Sequence, residues 1–335
     1  MTETLAALSG NRYVGCLAGC VVTMILSSSS AASVIVITFV ESGLLTFQQC
    51  LGVLLGVNIG TTLTGHLVAI KLTKYAWHMV AAGFFAVFFA KSAQTKQKAE
   101  IFHGLGLLFV GMEVMGNSMA PLQSYQPFRE MLASMEDVPL GIGAATVFTV
   151  LIQSSSAATG VIITVAQQGL LTAKAGLALM LGANIGTCGT ACLAAIGKKR
   201  ETVQVALAYL LFKLIGVALT VAVMQQFTDA VIDNTMPSEL VGFLRGNGTQ
   251  CSEECVAAGL GEAVPKFLAN CHTVFNVLLA VILLPFTPQL AGLVERFVDQ
   301  LPGEWSAAPT NGKGSRGSGR RPSRSPSSTR GAKAS

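Results

Sequence analysis

Two short runs of polar side chains interrupt otherwise apolar sequence: Ser27-Ser28-Ser29-Ser30 and Gln153-Ser154-Ser155-Ser156. Each is flanked by about a dozen apolar residues on either side, too few for two membrane spans and awkward for one. Hydroxyls and bare backbone groups in hydrocarbon cost several kcal/mol each unless satisfied, so such a run survives only around a cavity. A chain that turns at the serines and starts a new helix aims the free N–H groups and partial positive end of that helix into the cavity. That arrangement binds anions. Ser28, Ser29, Ser30, Ser154, Ser155 and Ser156 would add hydroxyl donors without calling on a lysine or arginine.

A second pair of blocks, Leu55-Gly-Val-Asn58-Ile-Gly-Thr61 and Leu181-Gly-Ala-Asn184-Ile-Gly-Thr187, offers oxygen ligands instead. Gly56, Gly60, Gly182 and Gly186 weaken a helix in mid-span, and a break is expected there. Exposed carbonyls at a break, together with the side-chain oxygens of Asn58, Thr61, Asn184, Thr187 and Gln153, are hard ligands suited to sodium; Ser27 supplies a shorter one where Gln153 stands in the second run. The plainer alternative is that small polar residues let helices approach closely and hydrogen-bond. Duplication of both blocks favours the ligand reading. The serines have no His or Lys base placed by sequence, so no enzyme is expected. His66, His78 and His103 lie near span ends without metal-ligand spacing and are read as interfacial or packing residues, so no metal centre is expected.

These blocks are parts of a larger repeat. Residues 15–70 align with residues 141–196 at a constant shift of 126, without a gap, giving 26 identities in 56 positions. A period of that length in an apolar chain marks two transporter halves rather than a solenoid. The composition agrees: 51% hydrophobic, 12% charged and a mean hydropathy of +0.59 place the 335 residues in a membrane. Apolar stretches at 13–40, 76–90, 101–122, 203–224 and 267–286 approach or exceed the roughly 20 residues of a span.

Three crossings, at 46–70, 76–90 and 101–122, separate the first Asn-Ile-Gly block from the second serine run, and an odd number inverts the second repeat relative to the first. The fold expected is therefore an all-α membrane protein with two inverted repeats, each carrying a re-entrant serine-rich helical hairpin and a broken transmembrane helix. Arg12, Lys91, Lys96, Lys98, Lys198, Lys199 and Arg200 gather on the first hairpin's side, which the positive-inside rule makes cytoplasmic. The localisation expected is the plasma membrane, multi-pass, with a cytoplasmic C-terminal tail. The net charge of +5 sits in residues 313–335, which hold seven basic residues and no acid. That Gly/Ser/Pro/Arg-rich segment reads as a disordered, solvated tether rather than a nucleic-acid surface.

At the serine runs and the Gly-x-Asn-Ile-Gly-Thr blocks the chain resembles the type II sodium/phosphate cotransporter family, over about residues 8–290. Ala269-Asn-Cys-His272-Thr-Val-Phe275-Asn276 is similar to that family's closing His-x-x-Phe-Asn element. The resemblance implies phosphate uptake driven by Na+ as coupling ion, with the hairpin serines binding phosphate and His272 and Asn276 as candidate coupling residues. The chain departs from the pattern at three places. Ser27 stands where the family has Gln. Tyr209 and Lys213 stand where a second His-x-x-Phe-Asn would be expected; a lysine at that depth is costly, and its ammonium either snorkels to the interface or replaces a bound sodium. The counterpart of the span that opens the second repeat would precede Met1, so the first repeat is expected to be truncated, wrongly started, or completed by an oligomer or partner that supplies the helix.

The organisation expected is a first repeat at 1–100, a second at 101–228, an extracytoplasmic loop at 229–266, a closing helix and short interfacial segment at 267–300, and the tail at 301–335. The partners expected are inorganic phosphate and sodium. Another oxyanion, such as sulfate or arsenate, and a non-transporting membrane sensor or scaffold of the same fold are the alternatives, since helix N-termini and hydroxyls recognise charge and tetrahedral shape.

Overall fold

The computed structural model describes residues 11–70, 72–245 and 253–300; the tail expected at 301–335 lies outside them. Among the described residues the chain is helical throughout, with no strand. The first serine run lies between α1 (Arg12–Leu26) and α2 (Ser29–Glu41), followed by the long α3 (Phe47–Ala69). A shorter α4 (Ala76–Phe89) packs along α5 (Ala93–Gln123), and α6 (Gln126–Ser134) meets α7 (Val138–Ile152) at a bend of 105°. The second serine run lies between α7 and α8 (Ser155–Gln167); α9 (Ala173–Gly186) and α10 (Cys188–Ala195) follow in line. Then come α11 (Arg200–Ala222), α12 (Met224–Thr235), α13 (Ser238–Leu244), α14 (Glu253–Leu283) and α15 (Thr287–Asp299).

Among the described residues five segments are long and apolar enough to cross a membrane: α3, most of α5, α9 with α10, α11, and the α14–α15 stretch. Large outward side chains of α4 and α5, among them Trp77, Phe84, Phe85, Phe88, Phe89 and Ile101, are exposed, as suits a protein whose solvent is lipid. The chain is a multi-pass membrane protein. The crossing expected at 76–90 is a 14-residue helix. At 1.5 Å per residue it is about 21 Å long, short of a typical hydrocarbon core.

Local chemistry repeats with the same shift as the sequence. Ser27 and Gln153 both adopt left-handed backbone, φ +51° and +57°, the only non-glycine residues to do so among those described. Each ends its helix, and Ser28 and Ser154 then cap the next, accepting from the N–H of Ala31 and Ala157 at 3.2 Å. Thr46 and Thr172 cap α3 and α9 in the same manner.

The glycine blocks correct one expectation. α3 runs unbroken through Asn58, and the second block is interrupted only at Thr187, whose φ −55° and ψ −30° are helical. The glycines form a packing seam instead. A Cβ at Gly56 would strike the Cys16 carbonyl of α1, and one at Gly182 the Ile142 carbonyl of α7, so the helix backbones approach closely only because the side chains are absent.

The expected boundaries shift as well. The border at residues 100 and 101 falls inside α5, and 229–266 is not a loop: its described residues form the end of α12, α13 and the start of α14. α15 follows the closing helix with Ala291, Val294 and Val298 turned inward.

Packing at the helix ends places the two repeats around α3. Beside its N-terminal end, the Glu41 carbonyl that closes α2 accepts from Lys199 Nζ at 3.0 Å, and the Glu41 carboxylate pairs with Lys198 at 3.1 Å. Arg12 reaches the Leu284 and Pro285 carbonyls at 3.2 and 3.0 Å, and Arg200 pairs with Asp299. At the C-terminal end of α3, Gln167 of α8 donates to the Val68 carbonyl at 3.1 Å.

Candidate functional site

The two serine tips meet. Ser29 Oγ and Ser155 Oγ, residues separated by the repeat's own shift, lie 2.9 Å apart in a buried hydrogen bond, and Ser30 Oγ donates to the Gln153 carbonyl at 3.3 Å. Residues equivalent under the repeat therefore touch each other, which puts the N-termini of α2 and α8 at one place. Ser28 and Ser154 are partly committed there, since their oxygens cap those helices.

Around this contact closes a narrow cavity lined by Ser29, Ser155, Thr159, Asn58, Thr61, Asn184, Thr187, Lys213 and His272. Its volume is about 10 Å³, room for roughly one water and too little for a tetrahedral oxyanion. Ser156 lines an adjoining small pocket with Thr61, Thr64, Thr159 and His272. No aspartate or glutamate lines either pocket among the described residues.

The two asparagines of the repeat are held differently. Asn58 Oδ1 accepts from the Tyr209 hydroxyl at 2.8 Å, while its Nδ2 is buried without a partner. Asn184 Oδ1 accepts from Lys213 Nζ at 2.9 Å, and Asn276 Oδ1 accepts from the same ammonium at 3.0 Å. Lys213 is only 2% exposed, which corrects the snorkelling alternative: it lies on the face of α11 that packs into the core, and it lines the cavity rather than reaching an interface. Thr61 and Thr187 donate to the carbonyls of Val57 and Ala183 at 2.9 Å, leaving their oxygen lone pairs for a ligand. His272 is buried with Nδ1 unpartnered, and its carbonyl accepts from Asn276 Nδ2 at 2.8 Å.

Ser27 and Gln153 are not brought into the cavity. Both side chains are exposed at their tips, and Ser27 Oγ donates to the Met24 carbonyl at 3.4 Å. Conversely, three residues not singled out as ligands belong to the site or flank it. Thr159 lines both pockets; Thr23 and Thr149, one turn before each tip, bury hydroxyls without partners. Their signal was present in the repeat, because Thr23 and Thr149 are identical under the shift and Thr159 aligns with Ser33.

A buried polar cavity between duplicated helix tips, inside a bundle with lipid-facing apolar walls, defines a membrane transporter by class. The chain belongs to the Na+/Pi-cotransporter family, whose model matches residues 1–117 and 121–243. It is 33% identical over 220 residues to the uncharacterized protein YqeW of Bacillus subtilis, covering 65% of this chain and 71% of that one. It is 27% identical over 226 residues to a Salmonella typhimurium protein named "Putative inorganic phosphate export protein YjbB", covering 67% of this chain and 42% of the relative. A 64-residue stretch, 19% of this chain and 10% of the relative, is 38% identical to rabbit (Oryctolagus cuniculus) sodium-dependent phosphate transport protein 2A. The chain thus spans less than half the length of YjbB. No solved structure matches it.

Proposed function

We propose that the chain is a sodium-dependent inorganic phosphate symporter of the plasma membrane, working by alternating access between two inverted repeats. The observation that carries this reading is the meeting of Ser29 and Ser155, each at the N-terminus of its helix, within one cavity shared with Asn58, Asn184 and Lys213. Two helix N-termini and their serines (Ser28, Ser29, Ser30, Ser154, Ser155, Ser156) form the phosphate site. Asn58, Thr61, Asn184 and Thr187 hold sodium, with Ser27 and Gln153 at the mouth and His272, Asn276 and Lys213 linking the two ligands.

The inversion is supported by the helix ends. Glu41 closes α2 beside one end of α3, whereas its equivalent Gln167 closes α8 beside the other. The 12–41 and 138–167 pairs then act as re-entrant hairpins entering from opposite faces. The end of the bundle that gathers Arg12, Lys198, Lys199 and Arg200 is the cytoplasmic one, and the C-terminal end of α15, where Asp299 pairs with Arg200, lies there too. Because the cavity is too small for a tetrahedral oxyanion, phosphate enters when one hairpin tip swings away from the other.

Purified full-length chain in proteoliposomes tests this. Uptake of 32P-labelled phosphate is expected to follow an inward sodium gradient and to vanish when choline replaces sodium. Uptake indifferent to sodium sinks the coupling, and displacement by unlabelled sulfate but not by unlabelled phosphate moves the substrate to another oxyanion. Phosphate binding without flux favours a sensor. Outward transport, the direction in the printed name of YjbB, would show as efflux from preloaded vesicles under an outward sodium gradient.

A further inference from the structure

The two halves of the site carry unequal charge, and the inequality sits at one position. Tyr209-x-x-Phe212-Lys213 on α11 has the spacing of His272-x-x-Phe275-Asn276 on α14, so Lys213 stands where the companion element has an asparagine. Its ammonium is bound by the side-chain oxygens of Asn184 and Asn276 at 2.9 and 3.0 Å. The Phe275 ring lies 5.8 Å from Nζ. Two neutral amide oxygens are what a sodium ion would take as ligands at that point.

A buried ammonium normally has a carboxylate beside it, because an unpaired charge in a low-dielectric interior is costly. The lining of this cavity contains none among the described residues. An ammonium has three N–H donors and two are used here, so one remains for whatever enters beside Ser29 and Ser155. The missing counter-charge must come from the ligand.

We propose that Lys213 is a tethered cation occupying a coupling-ion position, so that this chain binds its oxyanion with one sodium ion fewer than a chain with an amide at residue 213. The inference rests on the phosphate-symporter reading and adds to it the sodium count and the residue that sets it.

The test uses full-length protein with Lys213→Asn, which copies the companion element, and Lys213→Met, which keeps the reach but offers neither charge nor oxygen. Lys213→Gln replaces the asparagine variant if that protein does not fold. In detergent, thermal unfolding is followed in sodium chloride and in choline chloride. The amide variant is expected to gain a sodium-dependent stabilisation beyond that of the unmodified chain. In proteoliposomes its sodium activation curve steepens, with a Hill slope greater by about one. Lys213→Met gains no sodium response, and its apparent phosphate affinity falls about tenfold or more, the loss expected for one hydrogen bond to a charged ligand.

A sodium response in the amide variant identical to that of the unmodified chain overturns the proposal, as does unmodified phosphate affinity in Lys213→Met. If the unmodified chain moves no phosphate, the functional reading fails while the thermal comparison in sodium and choline still decides the cation position.

Discussion

The tips of the two repeats and the asparagines behind them have opposite characters. At the tips the halves are nearly the same: left-handed Ser27 and Gln153, capping Ser28 and Ser154, and a hydrogen bond between equivalent serines. At the asparagines of α3 and α9 they part, because Asn58 meets a neutral phenol and Asn184 an ammonium. The geometry that would face the proposed anion is thus preserved in duplicate, whereas the groups that would face cations differ between halves. A two-fold tip suits a tetrahedral, multiply charged ligand that takes donors from both sides; unequal cation positions would let one ion be exchanged for a covalently held charge, as proposed for Lys213.

Four sets of substitutions break or sharpen that comparison. The largest effect is expected at the seam common to both halves. Gly56→Leu and Gly182→Leu each force a side chain into a carbonyl of the neighbouring helix, an overpacking that costs about 3 kcal/mol or more where backbone cannot yield. Neither variant is expected to give a monodisperse, cooperatively unfolding protein in detergent, and normal melting of either would mean that the helices can separate freely.

Next come the tips. Ser29→Ala and Ser155→Ala each remove one donor to a charged ligand, a loss of roughly 1.5 to 3 kcal/mol in phosphate binding. Equal losses in apparent affinity from labelled-phosphate titrations are expected of a site shared by both tips. A large loss for one and none for the other would assign the anion to a single repeat.

Tyr209→Phe addresses the neutral asparagine. It leaves the Asn58 amide, already short of a partner at Nδ2, buried with none at Oδ1, at a cost of about 1–3 kcal/mol in stability. A lowered melting temperature in choline, partly restored by sodium, is the expected result. An unchanged melting temperature would show that Asn58 finds another partner.

The smallest effect is expected at the exposed tip residues. Gln153→Ser and Ser27→Gln make the two tips alike, and because neither side chain lines the cavity, each should shift the sodium needed for half-maximal uptake by less than about tenfold. A complete loss of sodium dependence in Gln153→Ser would place that side chain in the ion's coordination during transport.

Much of this protein is legible in the order of its residues. The shift of 126 pairs both serine tips, both asparagine blocks, the capping threonines and the threonines that precede each tip, because a duplicated segment repeats its backbone dihedrals and caps wherever its residues repeat. Apolar runs and a polar interruption suffice to mark a membrane protein with a cavity, since hydrocarbon tolerates a hydroxyl run only where something satisfies it. Tertiary structure alone decided the rest. The same glycines that weaken a helix also let two helices touch, and which role prevails depends on whether another backbone lies alongside; here α1 and α7 do. Lys213 could have snorkelled had it stood on the outward face of α11 with Leu214 and Leu219, but it stands on the buried face with Tyr209 and Phe212. Tyr209 meets Asn58 from 151 residues away and Lys213 meets Asn184 from 29. Spacing along a helix states which residues share a face; the partner that face finds is set by how whole helices pack, over separations that no local pattern records.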